Sequence, residues 1–175
     1  MSVHFDNRSQ RILRPVKPGF VALTILAALV LNMLPWRSIT GIPDWVALVL
    51  VFWCVHEPRR VGIGLAWLLG IVMDSANGAL FGQHALAYSA LAFASIALSR
   101  RMLWFALWPQ SLHVLVLLSA TQLLMLVVRL ATGAAFPGVL YFAGSVIAAA
   151  LWPLVTVVLL IPQTLPESLD ENRPI

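Results

Sequence analysis

Apolar residues fill six stretches of the chain almost without interruption, and short polar or proline-bearing breaks separate them. The stretches run from Gly19 to Trp36, Pro43 to Val55, Val61 to Phe81, His84 to Leu98, Ser111 to Leu130 and Gly138 to Ile161. A helix needs about 20 apolar residues to cross a bilayer. The pattern therefore predicts an all-α polytopic membrane protein, a six-helix transmembrane bundle with short second and fourth spans. Pro35, Pro43, Pro58, Pro109, Pro137 and Pro162 punctuate the ends, where helices stop or begin. Pro153 lies inside the last span and predicts a kink there, unless neighbouring helices or Thr156 satisfy the freed backbone group. The chain reads as a single transmembrane domain over 1–175, with polar tails at 1–18 and 162–175 around a bundle at 19–161.

Composition sharpens this reading. Of 175 residues, 61% are hydrophobic and 10% charged, and the mean hydropathy is +0.91, which a soluble domain of this size does not tolerate on its surface. The net charge of +4 does not point to nucleic acid, because the Lys and Arg residues sit at the ends of apolar runs and never interleave with aromatics. They orient the chain instead. With six spans, Arg8, Arg11, Arg14, Lys17, Arg59, Arg60, Arg100, Arg101 and Arg173 fall on one side and only Arg37 and Arg129 on the other. The positive-inside rule then makes both termini cytoplasmic. Trp36, Trp45, Trp104 and Trp108 suit membrane interfaces, whereas Trp67 and Trp152 lie deeper and are expected to fill space between helices. The basic start before Gly19 resembles a secretion signal, but no small-x-small cleavage site follows the apolar run, so it reads as an uncleaved first span. One cysteine, Cys54, excludes an intramolecular disulfide and a cysteine-based metal cluster.

The candidate chemistry concentrates between Val61 and Tyr88. If this segment is helical, Gly62, Ala66, Gly70, Asp74, Gly78 and Gly82, spaced by four, form one slowly drifting face of small residues on which another helix can pack closely. Asp74 interrupts that face with a carboxylate whose cost at bilayer depth is about 2.5–3.5 kcal/mol, so it calls for a polar partner inside the protein. Arg129 is the obvious charge partner, although it can also snorkel to the interface alone. Asp-Ser-Ala-Asn-Gly at 74–78 is ordinary turn chemistry as well. Two readings stand: helix packing with a turn or cap, or an intersubunit or ligand contact built on the face. Residues 74–83 either continue the helix or form a re-entrant connection. Gln83, His84 and Tyr88 extend a polar patch at the same level, with His84 read as interfacial rather than as a ligand. Gln122, in the middle of the fifth span, reads as interhelical glue through one hydrogen bond. No HExxH, GxSxG, Walker or paired-cysteine spacing occurs, and no nucleophile and base share a level of the membrane, so neither an enzyme nor a cofactor or metal is expected.

The run GIVMDSANGALFGQHALAYSALAFASIALSRRM, with Gly70-x3-Asp74-x3-Gly78-x3-Gly82, then His84-Ala85-Leu86, Tyr88 and a closing Arg pair, resembles the signature of the MreD family. Members of that family are rod shape-determining proteins of the bacterial inner membrane. The resemblance implies a non-enzymatic scaffold of cell-wall elongation. Its implied partners are MreC and, through MreC, MreB, a glycosyltransferase and a penicillin-binding transpeptidase, all within membrane lipid. Substrate-binding subunits of energy-coupling-factor vitamin transporters resemble it in six-helix architecture and in a related Gly and Asp pattern, which makes such a subunit the alternative reading of function. Those subunits also carry Ala-x3-Ala on the first helix. Here Ala22, Ala27 and Ala28 are spaced differently.

Overall fold

The computed structural model describes residues 16–34, 41–78 and 80–163. Trp36 and Arg37, the basic residues before Lys17 and the acidic tail beyond Gln163 lie outside the described residues. Six α-helices and no strands occur among the described residues: α1 Pro18–Met33, α2 Trp45–His56, α3 Ile63–Asn77, α4 Gln83–Leu103, α5 Leu107–Ala131 and α6 Ala143–Leu160. Short 3-10 turns at Val139–Phe142 and Ile161–Gln163 flank α6. Counted with those turns, α6 reaches 25 residues, as α5 does, and these two helices are long and apolar enough to cross a membrane.

Helix α2 is the axis of the bundle. Its sequence, WVALVLVFWCVH, has no polar stripe, and such a helix is stable only when covered on every side. Helices α1, α4, α5 and α6 supply that cover, and nine of its twelve residues are buried. Trp53, Phe52 and Trp152 form the centre of the core, with Trp53 Nε1 donating to Thr24 Oγ1 at 2.9 Å and Trp152 Nε1 to Gln110 Oε1 at 3.1 Å. Burial of these rings is therefore not bought with unsatisfied indole N–H groups. The outer helices reverse the usual pattern. On α5, Leu112, Val116, Leu123 and Val127 recur at helical spacing and face outward, as do Leu23, Leu26 and Val30 on α1. An apolar stripe on the outside as well as the inside suits hydrocarbon as the surrounding medium.

The element bounds depart from the sequence expectation in ways that have local causes. Helix α3 stops at Asn77 instead of running to Phe81, because Gly78 adopts φ 58° and ψ 29° and its N–H returns to the Asp74 carbonyl. That left-handed residue is a helix terminator that any side chain would strain. Helix α4 runs on to Leu103, with Arg100 and Arg101 in its last turn, where their charge complements the helix dipole. Helix α5 begins at Leu107, since Pro109 sits in the first turn, where no intrahelical N–H bond is lost. Trp67 is a correction: it is 51% exposed on the outer face of α3, whereas Trp152 is buried as expected. The Thr156 hydroxyl is buried without a hydrogen-bond partner, so it does not relieve the backbone around Pro153.

Candidate functional site

The small-residue face of α3 resolves into two kinds of position. Ala66 and Gly70 are packing residues: Ala66 is fully buried, and a Cβ on Gly70 would lie 2.3 Å from Ala85 Cα and 2.4 Å from Ala85 N. No side chain fits there. Gly70 lets the α4 backbone touch α3 directly. Gly62 precedes α3 as its N-cap, and Gly78 and Gly82 lie in the turn to α4, with open space where a Cβ would be. The turn glycines are required by conformation, φ 58° at Gly78 and 97° at Gly82, and not by helix approach. The spacing of four thus continues past the end of the helix that gave it meaning.

Asp74 sits in the last turn of α3 with its side chain fully buried. Its Oδ1 accepts from His84 N at 2.8 Å and His84 Nδ1 at 2.7 Å, and its Oδ2 from Gly82 N at 2.9 Å and Ala85 N at 3.3 Å. The carboxylate of one helix therefore caps the N-terminus of the next. Backbone N–H groups that no helical carbonyl can reach are satisfied, and the negative charge lies against the positive end of the α4 dipole. A carboxylate only accepts, so the His84 Nδ1 carries the proton. This corrects the expected pairing with Arg129: the oxygens of Asp74 are already filled from the first turn of α4.

A second polar cluster adjoins the first. Asp44 caps α2 through Ala47 N at 3.0 Å, accepts Asn32 Nδ2 at 2.8 Å from α1, and accepts the Tyr88 hydroxyl at 2.7 Å from α4. Asn32 Oδ1 receives Trp45 N at 2.9 Å. The His84 and Tyr88 rings meet edge to face at 5.8 Å, so the two carboxylates, the histidine and the tyrosine tie α1, α2, α3 and α4 together at one end of the bundle. Asp44 and Asn32 escaped the reading of the sequence. Pro43-Asp44 directly before an apolar run is an N-cap signature that points to Asp44. Nothing local marks Asn32.

Gln122 does act as interhelical glue, accepting from Ser145 Oγ at 2.6 Å between α5 and α6. A Cβ on neighbouring Gly144 would lie 2.5 Å from Ile42 O, a second close backbone approach the sequence did not reveal. Arg129 lies apart from the Asp74 cluster's interior and lines an open cleft of about 490 Å³ with Gln83, His84, Thr132 and Tyr141. On the other side of α3, an apolar groove of about 500 Å³ runs between α1 and α3, lined by Val21, Ala22, Ile25, Leu26, Leu29 and Leu65, with Arg60 at its end. It exists because α1 packs chiefly on α2, and α3 on α4. No group of three or more His, Cys, Asp or Glu arranged to hold a metal occurs among the described residues.

Comparison with known proteins places this geometry. The family described as rod shape-determining protein MreD matches the chain over residues 14–161. The chain is also 32% identical over 130 residues to the rod shape-determining protein MreD of Haemophilus influenzae, covering 73% of this chain and 80% of that protein. No solved structure matches. With most of its length matched by the family and by this relative, the chain belongs to the MreD family.

Proposed function

We propose that this protein is a non-enzymatic membrane scaffold of cell-wall elongation that helps determine rod shape. It holds MreC and, through it, MreB, a glycosyltransferase and a penicillin-binding transpeptidase. The observation that carries the reading is the apolar groove beside α1, reaching Leu65 at the start of α3, where α1 packs chiefly on α2 and α3 on α4. A transmembrane helix buries its apolar face in such a groove by shape and van der Waals packing, as helices associate in lipid. The MreC membrane helix is the proposed occupant. Six spans with both termini in the cytoplasm of the bacterial inner membrane, in an arrangement resembling the substrate-binding subunits of energy-coupling-factor transporters, complete the proposal. Family membership and the distribution of basic residues support it.

Depletion in a rod-shaped bacterium tests the function. Cells should round or swell and lateral wall synthesis should disperse, while vitamin uptake stays constant. Normal rods with selective loss of uptake of one small molecule would reject the scaffold. For orientation, a Cys54→Ser protein carrying Ser2→Cys or Ser168→Cys should be protected from an impermeant thiol reagent in intact cells, and Ser38→Cys should react. Labelling at position 2 reverses the orientation.

A further inference from the structure

The cleft beside Arg129 has a donor set without a counter-charge. Arg129 is exposed at the C-terminal end of α5 and has no ion-pair partner among the described residues. Tyr141 lines the same cleft. Gln83 lines the same cleft, is only 6% exposed, and makes no side-chain hydrogen bond among the described residues. A largely buried amide with free donors beside an unpaired guanidinium is a donor set that one anion can satisfy. His84 lines the same cleft, with Nδ1 committed to Asp74. The Asp74 side chain is fully buried, and no carboxylate among the described residues lines the cleft.

From this geometry we infer that the cleft is a binding site for the phosphate of an anionic phospholipid headgroup. Guanidinium, amide and phenol donors converge on one volume of about 490 Å³, ample for a headgroup. Arg presents a fork that matches two phosphate oxygens. The source of the phosphate follows from the rim. Leu80 lines the cleft and is 49% exposed, and Leu130, next to Arg129 at the end of α5, is 45% exposed. An anion with acyl chains satisfies the donors and covers these side chains at once, which soluble phosphate does not. The inference concerns lipid alone and does not depend on the wall-synthesis partners.

The test uses the full chain in nanodiscs of phosphatidylcholine with a minor fraction of phosphatidylglycerol, released into the gas phase for native mass spectrometry. One phosphatidylglycerol should be retained per protein. Retention should fall about tenfold in Arg129→Gln and survive in Arg129→Lys and in Arg101→Gln, which removes a charge at the far end of α4. Tyr141→Phe, which preserves ring packing, should weaken retention by a smaller factor. Equal retention in wild type and Arg129→Gln overturns the site. In a second arm, inorganic phosphate and glycerol 3-phosphate are titrated against the bound lipid. Failure of either to displace it at millimolar concentration supports the lipid assignment, and displacement at micromolar concentration assigns the cleft to a soluble phosphate and overturns it. Arg129→Gln protein that elutes as wild type but holds lipid unchanged leaves no room for misfolding as an excuse.

Discussion

Helix α3 has two flanks that differ in almost every physical respect. Toward α4 it offers Gly70 and Ala66, lets the opposite backbone approach to contact, and locks the pair with a buried carboxylate that takes four hydrogen bonds. Toward α1 it leaves an apolar groove, closed at one end by the Arg60 guanidinium donating to the Val16 carbonyl. Packing in lipid gains nothing from burying apolar surface against apolar surface, so stability comes from fit and from polar groups that have nowhere else to go. The α3–α4 flank uses both. The α1–α3 flank uses neither, which is what a surface kept for another chain requires. The comparison teaches where the molecule specifies itself and where the proposed partner helix would seat.

The sharpest way to break the closed flank is Gly70→Leu. Even the Cβ would sit 2.3 Å from Ala85 Cα, and that atom belongs to backbone, so the two helices must separate. Overpacking that cannot relax costs roughly 3 kcal/mol or more, and the variant should fail to yield monodisperse protein in mild detergent. Asp74→Ala comes next. It strands the Gly82, His84 and Ala85 N–H groups in an apolar setting, for a loss of about 2–4 kcal/mol in denaturation measurements in micelles. A double-mutant cycle sharpens the point: Asp74→Ala with His84→Ala should be strongly non-additive, while Asp74→Ala with Arg129→Ala should be additive within about 0.5 kcal/mol. Coupling to Arg129 instead would restore the pair that the structure separates.

Much of this flank was legible before any coordinates. Glycines four apart and one carboxylate in an apolar run announce a close, polar helix contact, and Gly70 and Asp74 make it. The partner was not legible, because an ion pair and a cap look alike in sequence. Arg129 offered opposite charge, but Asp74 is answered by main-chain N–H groups, which carry no side-chain signature. Gly78 and Gly82 fell into the same register by coincidence of spacing, and only their positive φ angles separate turn from face. Gly144 shows the opposite failure. It packs against the Ile42 carbonyl with no repeat to advertise it, since a single close approach needs a single glycine.

The two glycine classes predict a graded series. Gly78→Ala meets no neighbour and pays only for a left-handed backbone, about 1–2 kcal/mol. Gly78→Asn should recover part of that loss, since asparagine tolerates this conformation better. At Gly70, where the limit is space, asparagine should be no better than leucine. Rescue by asparagine at both positions in the same denaturation assay would erase the distinction between turn and packing glycine.

The open flank should give the smallest effect on folding and a large one on association. Ala22 and Leu26 line the groove and are exposed, so Ala22→Trp fills space that the protein itself leaves empty. Surface substitutions of this kind change stability by about 0.5 kcal/mol or less. The melting behaviour of the purified chain should therefore match wild type, whereas co-purification of the membrane partner should fall about tenfold, the loss expected when a packed helix is held off its seat. Leu154→Trp, on the exposed face of α6, puts the same ring on a surface without a groove and should change neither. If Ala22→Trp unfolds the chain, α1 and α3 belong to one closed core. If it leaves association intact and Leu154→Trp abolishes it, the partner sits on α6, and the asymmetry of α3 is packing economy without a function in assembly.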